Sequence, residues 1–229
     1  MQAIILAAGM GRRLGELTND NTKCMLQVNG VRLIHRILDS LYEAGIRKVV
    51  LVVGYKAENV KGLIGDEYRG MEIVYVENSV YDKTNNIYSL YLAREYLTAD
   101  DTLLLESDLI FEGRILTKII NHPYPNLALV DKYESWMDGT VVTLNEDNSV
   151  VEFLTKDKFK YSDIERYYKT VNIYKFSSKE LAVRLLADHD ILIKDCSGKS
   201  AFSRGSYIRL AVRDRNDNHK LTEALKEYI

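Results

Sequence analysis

The sequence predicts an α/β fold with a doubly wound, mostly parallel sheet, added antiparallel strands and a small α/β segment at the C-terminus. Two observations predict the parallel part of the sheet. Strand-length apolar runs without polar alternation indicate strands that are covered on both faces. These runs alternate with segments of helical spacing through residue 106, and such alternation is typical of parallel sheets flanked by helices.

The predicted elements of this first half follow a regular order. A glycine-bearing loop comes after the first strand and extends to about Asn21, and the first helix stops near Gly45. In open sheets of this class, ligands bind at the carboxyl ends of the strands. Strands are predicted at 3–7, 49–53, 72–76 and 102–106, and helices at 33–41, 57–64 and 87–97.

The pattern changes at residue 127. Strands are predicted at 127–130, 140–143, 150–153 and 170–174, with a hairpin turn at 145–148. Such a segment can add antiparallel strands that form one side of a pocket. After residue 177 the pattern is helix, strand, strand, helix, and we predict one domain at 1–177 and a second unit at 178–229.

Composition limits the function classes. The chain has 229 residues, of which 46% are hydrophobic, and a net charge of -2. This balance indicates neither a nucleic-acid partner nor a membrane surface. The longest apolar run, at 48–53, is too short to span a bilayer, and the N-terminus has no basic segment typical of a signal peptide. The two cysteines are far apart, which favours a cytoplasmic location.

The loop after the first strand contains the first functional motif, with Gly9, Gly11, Arg12 and Arg13, and Lys23 follows it. Glycines let backbone amides approach phosphate oxygens, and the cations can offset triphosphate charge. A tight turn with surface cations is the structural alternative. A dinucleotide-binding fingerprint requires a third glycine where Leu14 stands, and a P-loop requires a Gly-Lys-Ser/Thr sequence that is absent.

This stretch resembles the signature of nucleotidyltransferases, in which Gly-x-Gly-x-Arg-Leu is followed by a lysine. One departure is Thr22, because the family usually has proline before that lysine. The resemblance implies that Arg13 and Lys23 are catalytic. It also implies that the nucleotide contacts Leu6, Ala7, Ala8, Gly9, Gly11, Arg12, Arg13 and Lys23.

Asp108 follows the predicted strand at 102–106. Nucleotidyl transfer requires Mg²⁺ to bridge the reacting phosphates, and Asp108 is placed to bind this cofactor. The alternative role for a lone aspartate at this position is a helix cap or turn residue. Glu106 either assists or only packs. The family usually supplies a second carboxylate from a Glu-Ile-Asp or Asp-Ile-Asp segment, and the sequence contains no such segment.

The segment at 82–91 resembles the Asn-Asn-x-Tyr-Ser-Leu stretch of bacterial cytidylyltransferases for phosphocholine and 2-aminoethylphosphonate. The resemblance implies that Asn86 and Ser89 lie on the nucleotide side. Asn85 or Asn86 can also cap the helix that follows.

Three residues are predicted to bind the acceptor, the small molecule to which the nucleotide is transferred. Trp136, the only tryptophan, and Asp138 together suit a cationic amine, although a core tryptophan with a solvated aspartate is the alternative. The resemblance implies that Lys169 meets the acceptor phosphate, whereas its alternative role is a solvated cation at a strand end. These segments are closer to the 2-aminoethylphosphonate enzymes than to the phosphocholine enzymes.

The tail from about residue 178 resembles a different family, the C-terminal small domain of histidinol-phosphate-type aminotransferases that use pyridoxal phosphate. Arg209 matches an anion-binding arginine of that family, but no large domain or cofactor lysine is identifiable, so Arg209 is not assigned a catalytic role. In the alternative, residues 178–229 form the last helix and strands of one domain.

Together these resemblances predict a cytoplasmic, Mg²⁺-dependent cytidylyltransferase. An oxygen of 2-aminoethylphosphonate, or of a related amine-bearing acceptor such as phosphocholine, attacks the α-phosphorus of CTP and pyrophosphate leaves. The alternatives are a sugar-1-phosphate nucleotidyltransferase that uses UTP or dTTP, and a truncated nucleotide-binding module without turnover. No nucleic acid or membrane partner is expected, and a homodimer is a candidate assembly that the sequence does not fix.

Overall fold

The computed structural model describes residues 1–18, 21–154 and 158–178 and two short strands at 193–195 and 208–210. The side chains of Arg12, Arg13 and Thr98 and of the two short strands lie outside this description. The strands are β1 (Gln2–Ala7), β2 (Gln27–Val28), β3 (Val31–Arg32), β4 (Lys48–Val53), β5 (Glu67–Tyr68), β6 (Met71–Glu77), β7 (Thr102–Glu106), β8 (Leu127–Lys132), β9 (Val141–Leu144), β10 (Val150–Leu154), β11 (Tyr167–Phe176), β12 (Ile193–Asp195) and β13 (Ile208–Leu210). The α-helices are α1 (Leu33–Glu43), α2 (Ala57–Ile64), α3 (Asn86–Leu92), α4 (Arg94–Ala99) and α5 (Arg114–Ile120).

The central sheet contains nine strands in the order β10-β9-β11-β7-β1-β4-β6-β5, and β8 pairs with β11. The strands β6, β4, β1 and β7 pair in parallel. Antiparallel pairs extend the sheet on both sides, through β5 at one edge and through β11 with β8 and β9 at the other. The predicted fold, mostly parallel with added antiparallel strands, is confirmed.

Both faces of β1, β4 and β7 are buried, as their continuous apolar sequences predicted, whereas β6 is only partly buried. All six residues of β1 are buried. On one face, Ile5 and Leu51 belong to a core cluster that includes Ile34 and Leu38 of α1. On the other face, Ile4 and Val50 pack with a cluster that includes Leu97 of α4. Alternate residues of each strand therefore bury against helices on opposite sides.

Several details differ from the sequence prediction. The helix predicted at 87–97 is two helices, α3 and α4, because Ala93 leaves helical geometry with a ψ of 11°. Ala93 and Leu97 nevertheless pack in the same core cluster, so the break keeps both residues against the sheet. The helix α5 and the β2–β3 hairpin were not predicted. Near the C-terminus, β12 and β13 pair in antiparallel fashion, and the predicted flanking helices lie outside the described residues.

The chain passes from β1 to β4 and β6 on one side and then to β7 on the other side of β1. The direction of winding therefore reverses between β1 and β7. A crevice opens at the carboxyl ends of neighbouring strands where winding reverses, and ligands bind there. This topology places the glycine loop after β1 beside Asp108, which follows β7. Among the described residues, no helix is both long enough and apolar enough to cross a membrane.

The loops after β1 and β4 touch at Gly54. The Tyr55 amide donates to the Ala8 carbonyl at 3.1 Å. A Cβ added to Gly54 would lie 2.9 Å from that carbonyl oxygen and 2.8 Å from the Tyr81 Cβ. Only glycine therefore fits between the two loops without moving one of them.

We expect Gly54→Ala to lower the free energy of unfolding by about 1–3 kcal/mol, because the added methyl overpacks against backbone. The same substitution at Gly62, where a Cβ meets nothing within 4 Å in α2, should raise it by about 0.5–1 kcal/mol, because helical glycine is unfavourable. Urea denaturation of both variants measures the difference. An unchanged transition midpoint in Gly54→Ala would contradict the close packing of these loops.

Candidate active site

A cleft lies at the carboxyl ends of β1 and β7, where the sheet topology predicts a ligand. It brings together the glycine loop after β1, the lysine that follows this loop and the carboxylates that follow β7. The lining residues are Leu6, Ala7, Gly9, Gly11, Lys23, Cys24, Asn86, Glu106, Ser107 and Asp108. Most of the residues predicted to contact the nucleotide therefore share one cavity.

The glycine loop leads into a 3-10 helix, Arg12–Thr18, and not into an α-helix. The Leu14 amide and the Thr18 hydroxyl both donate to the Gly11 carbonyl, at 2.8 and 3.3 Å. These bonds hold the loop beside the cleft. Ala8 is buried, and its carbonyl accepts from the loop after β4. Because the side chains of Arg12 and Arg13 are outside the description, their contacts with a nucleotide stay predictions.

Lys23 and Asp108 form an ion pair across the cleft, and the Lys23 Nζ donates to the Asp108 Oδ2. Lys23 begins a short 3-10 helix that is anchored by the fully buried Cys24. Asp108 follows β7, and the Ser107 amide donates to the Leu6 carbonyl at 3.2 Å. Both charged side chains are thus supported by buried neighbours and meet at the strand ends.

Thr22, which stands where the family usually has proline, packs against Cys24. The Thr22 hydroxyl and the Cys24 thiol share a hydrogen bond at 2.9 Å, and both residues are buried. Burial raises the pKa of the Cys24 thiol to about 11, and the negative charge of Asp108 acts in the same direction. Cys24 is therefore a protonated packing residue at neutral pH.

Glu106 also faces the cleft, and sequence reasoning had left its role open. The Asn86 Nδ2 donates to the Glu106 Oε1 at 2.8 Å. Burial and the neighbouring charge of Asp108 raise the pKa of Glu106, while Asn86, Lys23 and Lys169 oppose that rise. Alternation along β7 places Glu106 opposite Ser107, but its bond to Asn86, which lies before β7 in the chain, had no signal in the sequence.

Asn85, and not Asn86, caps α3. The Asn85 Oδ1 accepts from the Ile87 and Tyr88 amides at 3.1 and 3.4 Å. This cap leaves the Asn86 side chain to reach Glu106. Ser89 is only 2% exposed and does not line the cleft. Its hydroxyl accepts from the Asn78 Nδ2 at 3.1 Å, and a direct contact of Ser89 with a nucleotide stays a prediction.

The residues predicted on the acceptor side lie outside the lining of this cleft. Trp136 is 75% exposed, and its Nε1 donates to the Glu134 Oε2 at 2.7 Å, so it is not a core tryptophan. Lys169 lies on β11 and its Nζ donates to the Thr170 carbonyl at 2.6 Å. A Cβ on Gly139, the residue after Asp138, would lie 2.8 Å from the Lys169 Cε. The loop containing Asp138 therefore passes directly against Lys169.

No group of three or more carboxylate, imidazole or thiol side chains that could hold a metal occurs in the described part of the chain. The cleft nevertheless offers two carboxylates, Glu106 and Asp108. Mg²⁺ typically binds one or two protein carboxylates and completes its shell with water and substrate phosphates. These residues therefore fit a magnesium ion that arrives with a nucleotide.

The sheet is doubly wound, and it carries a glycine loop, a lysine and a carboxylate at the switch point, where the direction of winding reverses between β1 and β7. This is the architecture of a nucleotide-binding α/β protein. Residues 3–147 match the family of MobA-like NTP transferase domains. The chain therefore contains a domain of this type and belongs to this family.

Three relatives show the range of the similarity. The chain is 33% identical to CMP-5'-(3-aminopropyl)phosphonate synthase of Streptomyces rubellomurinus over 88% of its length, but spans only 32% of that protein. It is 30% identical to CTP:phosphoglutamine cytidylyltransferase of Campylobacter jejuni, over 97% of this chain and 92% of the relative. It is 39% identical to 2-aminoethylphosphonate cytidylyltransferase of Lancefieldella rimae, over 47% and 43% of the two chains.

Solved structures show the same fold. The inositol-1-phosphate CTP transferase from T. maritima superposes with a TM-score of 0.64 at 24% identity, over 82% of this chain and 74% of the other. A putative glucose-1-phosphate thymidylyltransferase from Bacillus anthracis gives a TM-score of 0.68 at 20% identity, over 81% and 74%.

The predicted division at residue 178 stays a prediction. Because the Campylobacter match covers 97% of this chain, it extends beyond residue 178. The resemblance of the tail to aminotransferases has no support from these relatives. Arg209 lies on β13, and its side chain is outside the description.

We expect Cys24 to react slowly with iodoacetamide at pH 8 in the native protein and faster as the pH approaches 11, because only the thiolate is nucleophilic. The raised pKa also means that the contribution of Cys24 to stability falls as the pH rises from about 8.5, where the unfolded thiol ionises, towards 11. Mass spectrometry of the peptide that contains Cys24 measures the rates. Equal rates in native and denatured protein would contradict this environment.

Proposed function

We propose that the chain is a Mg²⁺-dependent cytidylyltransferase that transfers CMP from CTP to a small acceptor with a phosphonate or phosphate group and an amine, and releases pyrophosphate. 2-Aminoethylphosphonate is the preferred acceptor, and phosphocholine is a related one. The observation that carries the proposal is the meeting of Lys23 and Asp108 beside the glycine loop, at the switch point between β1 and β7.

Each part of the cleft has a role in this reaction. The backbone of the glycine loop and the Lys23 ammonium bind the triphosphate, with Arg13 as a further predicted cation. An acceptor oxygen forms a bond to the α-phosphorus of CTP, and the bond from this phosphorus to the bridging oxygen of pyrophosphate breaks. Because a phosphonate or phosphate oxygen is already anionic, no general base is required. Positioning and charge neutralisation supply the catalysis.

Asp108 is the residue proposed to hold Mg²⁺, with Glu106 as its carboxylate neighbour. Mg²⁺ supplies charge neutralisation at the phosphates when it is bound. Burial, and after it the charge of Asp108, raises the pKa of Glu106, and the second effect is a repulsion between the two carboxyl groups in the free protein. A cation between them relieves this repulsion, and in the free protein Lys23 is the cation that pairs with Asp108.

Three observations support an amine-bearing acceptor. Trp136 is exposed and therefore available to a ligand, and an aromatic face near the carboxylate of Asp138 suits a cationic amine. Lys169 lies close enough to the cleft for its charge to act on Glu106, and this positive charge suits the anionic phosphorus group of such an acceptor. The relatives named for aminoalkylphosphonates and phosphoglutamine support acceptors that combine an anionic phosphorus group with nitrogen.

A sugar-1-phosphate acceptor with UTP or dTTP is the second candidate. The observation that favours it is a 36% identity to UTP--glucose-1-phosphate uridylyltransferase AglF of Haloferax volcanii, over 68% of this chain and 65% of the relative. The nucleotide preference of the protein separates this candidate from the first one.

The test is pyrophosphate release with Mg²⁺ and either CTP or UTP, with 2-aminoethylphosphonate, phosphocholine or glucose-1-phosphate as acceptor. We expect release with CTP and an amine-bearing acceptor, and a loss of at least about a hundredfold in kcat for Asp108→Asn, because a metal ligand is removed. Asp101→Asn is the matched control, since Asp101 precedes β7 at the opposite end of that strand.

Each result has a defined meaning. Release with UTP and glucose-1-phosphate alone would establish the sugar-phosphate candidate. Binding of CTP without release for any acceptor would overturn the proposal in favour of a binding module without turnover.

Gly139→Ala provides a test of the acceptor side. The added Cβ would lie within 2.9 Å of the Lys169 Nζ, and the φ of +117° at Gly139 disfavours any side chain. We expect Lys169 to be displaced and the KM for the acceptor to rise roughly tenfold, while the KM for CTP stays unchanged. Steady-state kinetics of Gly139→Ala, Lys169→Met and the control Gly62→Ala measure this effect. A rise in the KM for CTP instead would contradict the assignment of Lys169.

A further inference from the structure

The segment between β6 and α3, residues 78–85, leads to Asn86 and the cleft. Asn78 begins this segment directly after β6 and is only 1% exposed. Its backbone amide donates to the Val53 carbonyl at 2.8 Å, which fixes it at the carboxyl end of β4. Asn78 is thus a buried polar residue, held by two parallel strands, at the base of a segment that leads to Asn86 in the lining of the cleft.

The side-chain amide of Asn78 connects three points of this region. Its Nδ2 donates to the Thr84 hydroxyl at 3.0 Å and to the Ser89 hydroxyl at 3.1 Å. Its Oδ1 accepts from the Val80 amide at 3.1 Å. The Thr84 hydroxyl in turn donates to the Val80 carbonyl at 2.9 Å. We call Asn78, Thr84 and Ser89 the loop clasp.

The loop clasp lies immediately before and within the element that carries Asn86. Thr84 precedes the cap residue Asn85, and Ser89 lies in the first turn of α3. The clasp therefore fixes both the approach to α3 and its first turn against the strand ends. The Asn86 side chain, which donates to Glu106 in the cleft, depends on this position.

A buried amide with satisfied hydrogen bonds specifies one conformation, because losing a partner leaves polar atoms without water. Both Nδ2 hydrogens of Asn78 have an acceptor, and its Oδ1 has a donor. An aliphatic residue here would leave the Ser89 hydroxyl buried without its donor. Thr84 at the end of the segment and Ser89 in α3 would then both lose Asn78 as their hydrogen-bond donor.

We propose that Asn78 is a positioning residue that sets the affinity of the protein for its nucleotide through Thr84 and Ser89. This inference rests on the proposed function, because the cleft must bind a nucleoside triphosphate. It assigns Ser89 an indirect role: its hydroxyl bonds to Asn78 and leaves the nucleotide contact of this region to Asn86. Loss of the loop clasp should change nucleotide binding and not acceptor binding, because the residues proposed for the acceptor lie elsewhere, on β11 and the loop that precedes β9.

The experiment compares Asn78→Ala, Ser89→Ala, Thr84→Val and Thr84→Ser in the full chain. Isothermal titration with CTP and Mg²⁺ gives Kd without an acceptor, steady-state kinetics give KM and kcat, and thermal unfolding gives Tm. Thr102→Val is the matched control for Thr84→Val. Like the Thr84 hydroxyl, the Thr102 hydroxyl donates to a backbone carbonyl, that of Asp100, at 3.0 Å. Thr102 is fully buried, whereas Thr84 is half-buried, and Thr102 lies at the amino end of β7, opposite the cleft.

We expect Asn78→Ala to raise the Kd and KM for CTP roughly tenfold with little change in kcat, because a binding surface is misplaced equally in the ground and transition states. Thr84→Val should also raise the Kd and KM for CTP. Thr84→Ser should keep the wild-type Kd, because serine retains the hydroxyl. Thr102→Val should lower Tm without changing the Kd.

Two results would overturn the inference. One is an unchanged Kd for CTP in Asn78→Ala with only a lower Tm, which would make the clasp purely structural. The other is a raised Kd in Ser89→Ala but not in Asn78→Ala, which would make Ser89 a direct contact. Failure of the proposed function is distinguishable, because the wild-type protein would then bind another nucleotide more tightly than CTP or would bind CTP without transfer.

Discussion

The pairing of β1 with β4 on one side and with β7 on the other is the constraint on which the site depends. It places the ends of three parallel strands at one edge and reverses the winding between β1 and β7. Lys23 and Asp108, which are far apart in the chain, form an ion pair only because of this register. Burial of both faces of these strands stabilises the register, since a slip of one residue would exchange the residues packed on the two faces.

Much of the fold was predictable because strands buried on both faces leave continuous apolar runs, and amphipathic helices leave a regular spacing. The glycine loop and Asp108 directly follow such strands, whereas Lys23 was identified through the resemblance to nucleotidyltransferases. The structure brings all three together in one cleft. Contacts between distant segments were not predictable. Nothing near Asn86 indicates Glu106 as its partner, and nothing near Ser89 indicates Asn78.

Some predictions failed or stayed open for physical reasons. The break at Ala93 leaves Ala93 and Leu97 in one core cluster, so the apolar spacing that predicted a single helix is the same with or without the break. The sequence does not decide whether Trp136 is buried or exposed, because a single tryptophan has no periodicity of its own. In the structure Trp136 is exposed. The cap of α3 was ambiguous between two adjacent asparagines, and only the geometry identifies Asn85.

The antiparallel strands β8, β9 and β10 join the parallel sheet through β11, which pairs with β7. The residues proposed to contact the nucleotide lie on the parallel side of this junction, whereas those proposed for the acceptor, Trp136, Asp138 and Lys169, lie on β11 and the loop before β9. The family match covers residues 3–147 and ends before β11. Under the proposed function, substitutions at Trp136, Asp138 or Lys169 can therefore alter the choice of acceptor while the glycine loop keeps its packing on β1 and against the loop after β4.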